Sequence, residues 1–430
     1  MPPPRLICHI DMNSYFASVE QQSNPFLRGR PVGVCAYLHP RGCIIAASVE
    51  AKQVGVKVGM TIEEAKKFAP DIVCVQNEPS KYRYVTSHIF ALLHILTDRI
   101  EYYSIDEAFL DLTGWYRDAA EAAFAMSRVK RALRDEVGEW LRCSVGIAPT
   151  RFLAKFASDQ RKPDGLVVFD QENYVAALDV PVQEAWGIGF RMKRRLARLG
   201  IRTLIDLREA SLTNLMQVFG MRGFSLWANV HGVEHEPFAE PGTLPKSIGH
   251  SYCVPRHISR EGGIESVLTK LTERAGRRLR SHQLLAKRIS IGVHSVDTQG
   301  YTHVQHIFPE PVDHLFVLVQ AVIMLFRGLQ IEREVDFLAV TLSELCTPVD
   351  QLFFAIDSSR THLRDQRLQS VSRSVDHIRD RYGEESIVLG RMFNPLAAQS
   401  APDRIGFRKT TGVAASEFTA YDEDIRYEAE

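Results

Sequence analysis

"YYSIDEAFLDLTG", residues 102–114, sets two acidic side chains, Asp106 and Glu107, next to each other in a stretch that otherwise reads as a buried strand. Apolar or β-forming residues at Ile100, Tyr102, Ile105, Phe109 and Leu112 predict that strand. Successive strand residues point to opposite faces, so one carboxylate would enter the core unless the chain turns there. A short hairpin turn near Ser104 to Glu107 resolves the conflict and leaves both acids at a strand end. Clustered carboxylates raise one another's pKa unless a cation lies between them. Magnesium, a hard ion held through oxygen atoms, is the cation expected.

Upstream, "RLICHID" (5–11) reads as a short buried strand closing on Asp11. A sheet that pairs this strand with the hairpin brings Asp11, Asp106 and Glu107 to one edge, and the Met12 carbonyl adds a fourth oxygen. Two divalent ions about 3.5–4 Å apart, bridged by carboxylates, are the arrangement that activates a hydroxyl and stabilises a leaving pyrophosphate. Two adjacent acids in a strand are weak evidence alone, because solvated edge acids are common.

The surrounding pattern supplies the rest of the sheet. Asn13 or Ser14 caps a helix through about Gln22, stopped at Asn24-Pro25. Strands at 31–36 and 44–45 flank a turn at 39–42, and Thr61 with Glu64 forms a capping box for a helix ending before Pro70. Ser80 starts a long helix to Leu96; after the acidic hairpin come a helix over 119–142 and the strand "CSVGIA". This βαββαβ-like order, with one insertion between Pro25 and about Glu78, predicts an α+β sheet with helices on one face. From about Pro181 the chain turns helical and basic. "WGIGFRMKRRLARLGI" (186–201) puts a Gly-Ile-Gly turn before a basic amphipathic helix, and "FGMRG" (219–223) is a weaker second version. A proline-rich link precedes a second βαββαβ pattern, and a helix over 368–382 is followed by a polar, acidic end read as disordered.

Composition narrows the classes. With 45% hydrophobic and 24% charged residues the make-up is that of ordinary globular domains. The seven cysteines are scattered without a CxxC pair, which favours reduced thiols and a cytoplasmic location over disulfides or zinc. The N-terminus carries no secretory pattern, and the longest apolar run, 315–326, is interrupted by Gln320, so no membrane partner is expected. Net charge is zero, yet 191–208 and 270–288 each hold seven Lys/Arg against one acid, and the last twenty residues hold six acids against Arg426. Two basic faces and an acidic tail suit a nucleic-acid partner.

Five segments, "HIDMNSYFASVE" (9–20), "GCIIAASVEAKQVGVKVGM" (42–60), "YYSIDEAFLDLTG" (102–114), "SVGIAPTRFLAKFASDQRKPDG" (144–165) and "WGIGFRMKRRLARLGI" (186–201), in this order, resemble the Y-family translesion DNA polymerases over about residues 5–345. The "AxxxEAK" form at 46–52 is more similar to the UmuC-type branch than to the DinB-type. The resemblance implies a right-hand polymerase: palm at 5–24 and 78–168, small fingers at 25–77, a helix-hairpin-helix thumb at 169–236, a linker at 237–245, a βαββαβ little finger at 246–345 and a tail at 346–430. It implies template-directed addition of dNTPs opposite damaged or intact template, without proofreading, using two Mg2+ ions for which Mn2+ can substitute.

Carried over residue by residue, Asp11, Asp106, Glu107 and the Met12 carbonyl match the metal ligands. Phe16, after Tyr15, matches the ring that excludes a 2′-hydroxyl. Lys155 matches a lysine on the incoming triphosphate. Gly187 and Gly189, with Lys193 and Arg194, match a hairpin that holds DNA phosphates through backbone N–H groups; Lys246 and Ser247 are further DNA contacts. Where much of the family has a Tyr and an Arg on the triphosphate, this chain has Val49 and Lys52. Losing the hydroxyl and the bidentate fork predicts weaker nucleotide binding, with Tyr15 and Arg41 as the side chains placed to compensate. In "VDQLFFAID" (349–357), Gln351, Leu352 and Phe354 fit a sliding-clamp peptide at 351–355, with Ala355 where a final aromatic would stand. Primer-template DNA, dNTP, a sliding clamp and, on the UmuC-like reading, accessory SOS proteins are the partners implied. A nucleotide cyclase with a related palm, and a DNA-binding scaffold without chemistry, are the alternatives left open.

Overall fold

The computed structural model of the chain describes residues 5–40, 42–170, 173–238, 244–254, 263–295, 301–331, 334–348, 359–383 and 386–390. They fall into two units divided between Thr243 and Leu244.

In the first unit the apolar strand β1 (Ile7–Met12) is central. It pairs antiparallel with β6 (Glu107–Asp111) on one side and β7 (Cys143–Ala148) on the other, and β5 (Ile100–Tyr102) and β8 (Leu166–Val168) complete the order β5-β6-β1-β7-β8. The turn expected at 104–107 is present: the Tyr103 and Ser104 N–H groups both donate to the Glu107 carbonyl at 3.1 Å, and β6 starts at Glu107. The helix Arg151–Gln160 lies directly on β7 at Gly146, where an added Cβ would stand 2.0 Å from the Ala154 carbonyl oxygen. Only glycine permits that approach, which presses Lys155 and Ser158 down toward β1.

Some boundaries differ from the sequence reading. The helix from Pro79 ends at Leu93, not Leu96, and the helix from Ala119 ends at Ala132 before a wider turn over Leu133–Val137. The Thr61–Glu64 capping box is formed. Ser14 precedes the helix Tyr15–Ser23 in a left-handed conformation (φ 50°) without capping it, because its hydroxyl accepts from Lys52 Nζ at 2.8 Å instead. Inserted between β1 and the helix from Pro79 is a small sheet in the order β3-β2-β4, made of β2 (Val32–Cys35), β3 (Ile44–Ala47) and β4 (Val73–Gln76). After β8 come the helices Phe190–Ala197, Leu204–Glu209, Leu212–Phe219 and Met221–Val230.

The second unit is the expected βαββαβ module. β9 (Ser247–Cys253), β10 (Leu285–Ser295), β11 (Tyr301–Val312) and β12 (Val335–Cys346) form a sheet in the order β11-β10-β12-β9, covered by the helices Ile264–Ser281 and Leu315–Gly328. The expected C-terminal helix begins earlier than 368, at Ser359, and runs to Tyr382. It is tied down by ion pairs: Arg280 grips Asp376 with Nε and Nη2 at 2.5 and 2.8 Å, and Arg379 reaches Glu273 at 2.5 Å with both side chains buried. Breaking a buried pair leaves an uncompensated charge. Glu273→Ala is therefore expected to destabilise this unit by about 3 kcal/mol in urea unfolding; an unchanged midpoint would mean that the helix is not held by the pair.

Candidate active site

The three acids come together through strand register. Asp11 on β1 stands opposite Glu107 on β6, and the Met12 N–H donates to the Asp106 carbonyl at 2.9 Å, locking the turn onto the end of β1. Their surroundings differ. Asp106 is half-buried, its carboxylate accepts from the Ser104 hydroxyl, and burial, reinforced by the Asp11 and Glu107 charges, pushes its pKa up to about 6. Burial also opposes ionisation of Glu107, but the hydrogen bond from His9 and the Lys155 ammonium overcome it and hold the carboxyl near 2. Neighbouring carboxyls driven apart in this way mark a functional site more often than a structural one.

Lysines surround the acids. Lys155 Nζ lies on Glu107, and Lys162 Nζ bridges Asp11 and Asp159 at 2.8 Å each. Lys162 is delivered by the loop after the helix Arg151–Gln160. That loop is pinned where the Asp164 N–H donates to Asn13 Oδ1 at 2.7 Å and Lys130 meets Asp164 at 2.9 Å. Lys52, against Ser14, has its pKa lowered by burial and by Lys162. His9, fully buried, sits 3.3 Å from Glu107 through Nε2 and 2.8 Å from the Ser158 hydroxyl through Nδ1; burial lowers its pKa. Neither Lys162 nor His9 stands out in sequence, although both lie within the quoted segments.

The donor set fits a divalent cation. Three carboxylates and a backbone carbonyl are hard oxygen ligands, and the raised pKa of Asp106 marks a carboxylate short of positive charge. With Lys155 and Lys162 drawn onto Glu107 and Asp11, no three acidic, histidine or cysteine side chains among the described residues converge as a ligand group. Both ammonium groups would have to yield to an ion.

Tyr15 and Phe16 diverge. Tyr15 is buried, its hydroxyl donating to the Tyr82 carbonyl at 2.8 Å and meeting Thr86 Oγ1 at 2.7 Å, so its ring serves the interior and not the cleft. Phe16 is half-exposed and stacked on the Tyr82 ring, with centroids 4.3 Å apart and planes 16° from parallel. Val49 and Lys52 share the short helix Val49–Gln53, capped by Ser48. Arg41 lies outside the described residues.

Gly187 has φ +87°, a conformation glycine alone adopts freely, and Gly189 precedes the helix Phe190–Ala197, leaving its first N–H groups free of a side-chain cap. Lys193 and Arg194 are exposed on that helix. Arg222 donates to the Gly187 carbonyl at 3.3 Å, joining the "FGMRG" turn to the first hairpin. In the second unit Lys246 and Ser247 are exposed at the start of β9. Gln351, Leu352 and Phe354 lie outside the described residues. No described helix is long and apolar enough to cross a membrane.

Comparison with known proteins gives a consistent answer. Residues 10–159 match the profile of the impB/mucB/samB family and residues 245–352 that of its C-terminal domain. The chain is 33% identical to DNA polymerase IV of Moorella thermoacetica over 390 residues, 89% of this chain and 94% of that protein. It is 32% identical to DNA polymerase IV of Pelotomaculum thermopropionicum, over 90% and 94% of the two chains. Among solved structures, a Y-family DNA polymerase chimera superposes with a TM-score of 0.69 at 26% identity, covering 80% of this chain and all of that one.

Proposed function

The chain belongs to the Y-family of translesion DNA polymerases, and from that premise we propose how its residues divide the work. As a DNA-directed DNA polymerase it acts on primer-template DNA and dNTP with divalent metal ions. The observation that carries the assignment of the site is the register of Asp11 against Glu107, with Asp106 in the adjoining turn. Asp11, Asp106, Glu107 and the Met12 carbonyl would hold two Mg2+ ions, or Mn2+ in their place. Bound there, such ions polarise the primer hydroxyl and neutralise charge on the departing pyrophosphate.

The other residues bind and orient. Lys162 and Lys52, at the open side of the acids, and Lys155, deeper on Glu107, provide the positive charge for the triphosphate. Phe16 takes the place beneath the sugar. The sheet around β1 would be the palm (5–24 and 78–168), the β2–β4 module the fingers (25–77), 169–236 the thumb and 246–345 the little finger, with 237–245 linking them. Gly187 and Gly189, with Lys193 and Arg194, hold one DNA phosphate, and Lys246 and Ser247 another. A finger insertion this short supports an open pocket without proofreading and a role in damage tolerance. We place the chain nearer the UmuC-type branch on the 46–52 segment alone, and with it accessory SOS proteins as partners. The reduced thiols support a cytoplasmic setting.

Primer extension tests the whole reading. On a defined primer-template the chain should add dNTPs with Mg2+ and stop on chelation; cyclic nucleotide from NTP alone, or DNA binding without synthesis, would overturn it. Run with a loaded sliding clamp, the same assay should lose only its clamp stimulation when 351–354 are deleted, and equal stimulation would assign those residues to packing.

A further inference from the structure

Glu107 is held by two side chains of different kinds. Lys155 reaches it with an ammonium on a flexible, partly exposed stem, and that ammonium would have to yield to an ion. His9 reaches it from the interior: the side chain is fully buried, and Nε2 lies 3.3 Å from Glu107 Oε2.

The sheet puts the imidazole there. His9 and Asp11 are two residues apart on β1 and so share a face. The pairing of His9 with Phe109 and of Asp11 with Glu107 makes His9 and Glu107 diagonal neighbours on that face. On the other side of β1, His9 stands opposite Gly146. A Cβ at Gly146 would meet the Ser158 N at 2.4 Å as well as the Ala154 carbonyl, so the bare backbone lets the helix Arg151–Gln160 bring Ser158 onto the ring. Ser158 Oγ lies 2.8 Å from Nδ1, and the Phe109 ring packs on the imidazole with centroids 4.6 Å apart. Tied at Nδ1, backed by Phe109 and shut off from solvent, the ring presents Nε2 to Glu107 at a fixed point.

We propose, on the reading of Glu107 as a metal ligand, that His9 is a positioning residue for the metal site: once an ion has displaced Lys155, His9 stays behind and orients the Glu107 carboxylate toward it. His9 itself touches neither ion nor substrate. The hydrogen-bonded neighbours of a metal-ligating carboxylate set its orientation, and losing one costs about 10- to 100-fold in metal affinity.

The test titrates Mn2+ into the full chain bound to a primer-template ending in a dideoxynucleotide, with the next dNTP present, and reads the free ion by electron paramagnetic resonance. His9→Phe keeps a ring against Phe109 and leaves Ser158 its 2.7 Å bond to the Lys155 carbonyl, but offers Glu107 no polar atom. Its half-saturating Mn2+ concentration should rise by about 10-fold or more. The Mg2+ needed for half-maximal extension of an ordinary primer should rise with it, while KM for dNTP at saturating Mg2+ stays the same. His9→Gln, whose amide nitrogen reaches the place of Nε2, should restore most of the affinity; His9→Asn, which reaches only the place of Nδ1, should not. If the phenylalanine variant does not fold, the difference between the two amides decides. Equal Mn2+ affinity in His9→Gln and His9→Asn, or an unmoved titration in His9→Phe, would overturn the role of His9. Glu107→Gln separates that failure from failure of the site: Mn2+ binding unmoved in Glu107→Gln would take away the metal assignment itself, whereas binding lost there and unmoved in His9→Phe takes away only the positioning role.

Discussion

Asp106→Asn and Glu107→Gln should each lower metal-dependent primer extension by about 1,000-fold or more, since on the proposed assignment each would remove a ligand from ions that contribute several kcal/mol to the transition state. The amides are chosen for their shape. The link between the acidic turn and β1 runs through the Asp106 carbonyl, which a side-chain change leaves alone, so the strand register should survive. Glu107 is less innocent, because its carboxylate is the partner of the half-buried Lys155 ammonium and of His9. Loss of that charge adds a stability cost, which thermal melts would reveal, and Asp106→Asn is therefore the cleaner experiment. DNA affinity should be nearly kept in both, because affinity for the duplex comes mainly from phosphate contacts on other elements. A variant that binds primer-template normally and retains more than about a tenth of the rate, a barrier change under about 1.4 kcal/mol, would sink the assignment of these carboxylates to the metal ions.

What the sequence made legible was whatever depends on local pattern. The Ser104–Glu107 turn follows from two adjacent acids in an alternating strand, and the Thr61–Glu64 box from a spacing of three. The pairing of β1 with β6 was an inference from chemistry: three carboxylates at strand ends make sense only if the strands are neighbours. The second unit was readable because each of its elements is long enough to show its period. The parts that stayed hidden are those decided by distant contacts. Tyr15 and Phe16 are adjacent aromatics at a helix start, and which one turns inward is set by the Tyr82 carbonyl and Thr86, some 70 residues away. Lys155 is matched to a phosphate ligand in sequence and Lys162 is not; the close packing at Gly146 commits the first to Glu107, and the pinned loop at Asp164 puts the second at the open side of Asp11. Ser14 reads as a cap, yet Lys52 claims its hydroxyl. Propensity loses to tertiary partners in each case.

Phe16→Ala should raise ribonucleotide incorporation relative to deoxynucleotide by about 100-fold, or about 2.7 kcal/mol of lost discrimination. The ring has nowhere to retreat. Phe16 lies flat on Tyr82, which is fully buried and whose hydroxyl donates to Glu20 at 2.8 Å, while Lys81 holds the same carboxylate at 3.1 Å. To make room for a 2′-hydroxyl the Phe16 ring would have to displace a close-packed, hydrogen-bonded neighbour, and interiors of that density resist even small shifts. Discrimination by exclusion needs such a backstop, and removing the ring removes the clash without touching the acids. Because Phe16 is half-exposed, its truncation should cost less stability than the roughly 3–5 kcal/mol of a fully buried phenylalanine. Extension with dNTPs should fall far less than extension with NTPs rises. Tyr15→Ala is the control: its ring lies in the interior, so the change should lower the melting temperature and leave sugar selection where it was. If Phe16→Ala stays as strict for deoxynucleotides as the parent while Tyr15→Ala relaxes, the gate is the neighbouring ring and the orientation of this pair in the nucleotide-bound enzyme is the reverse of the one described.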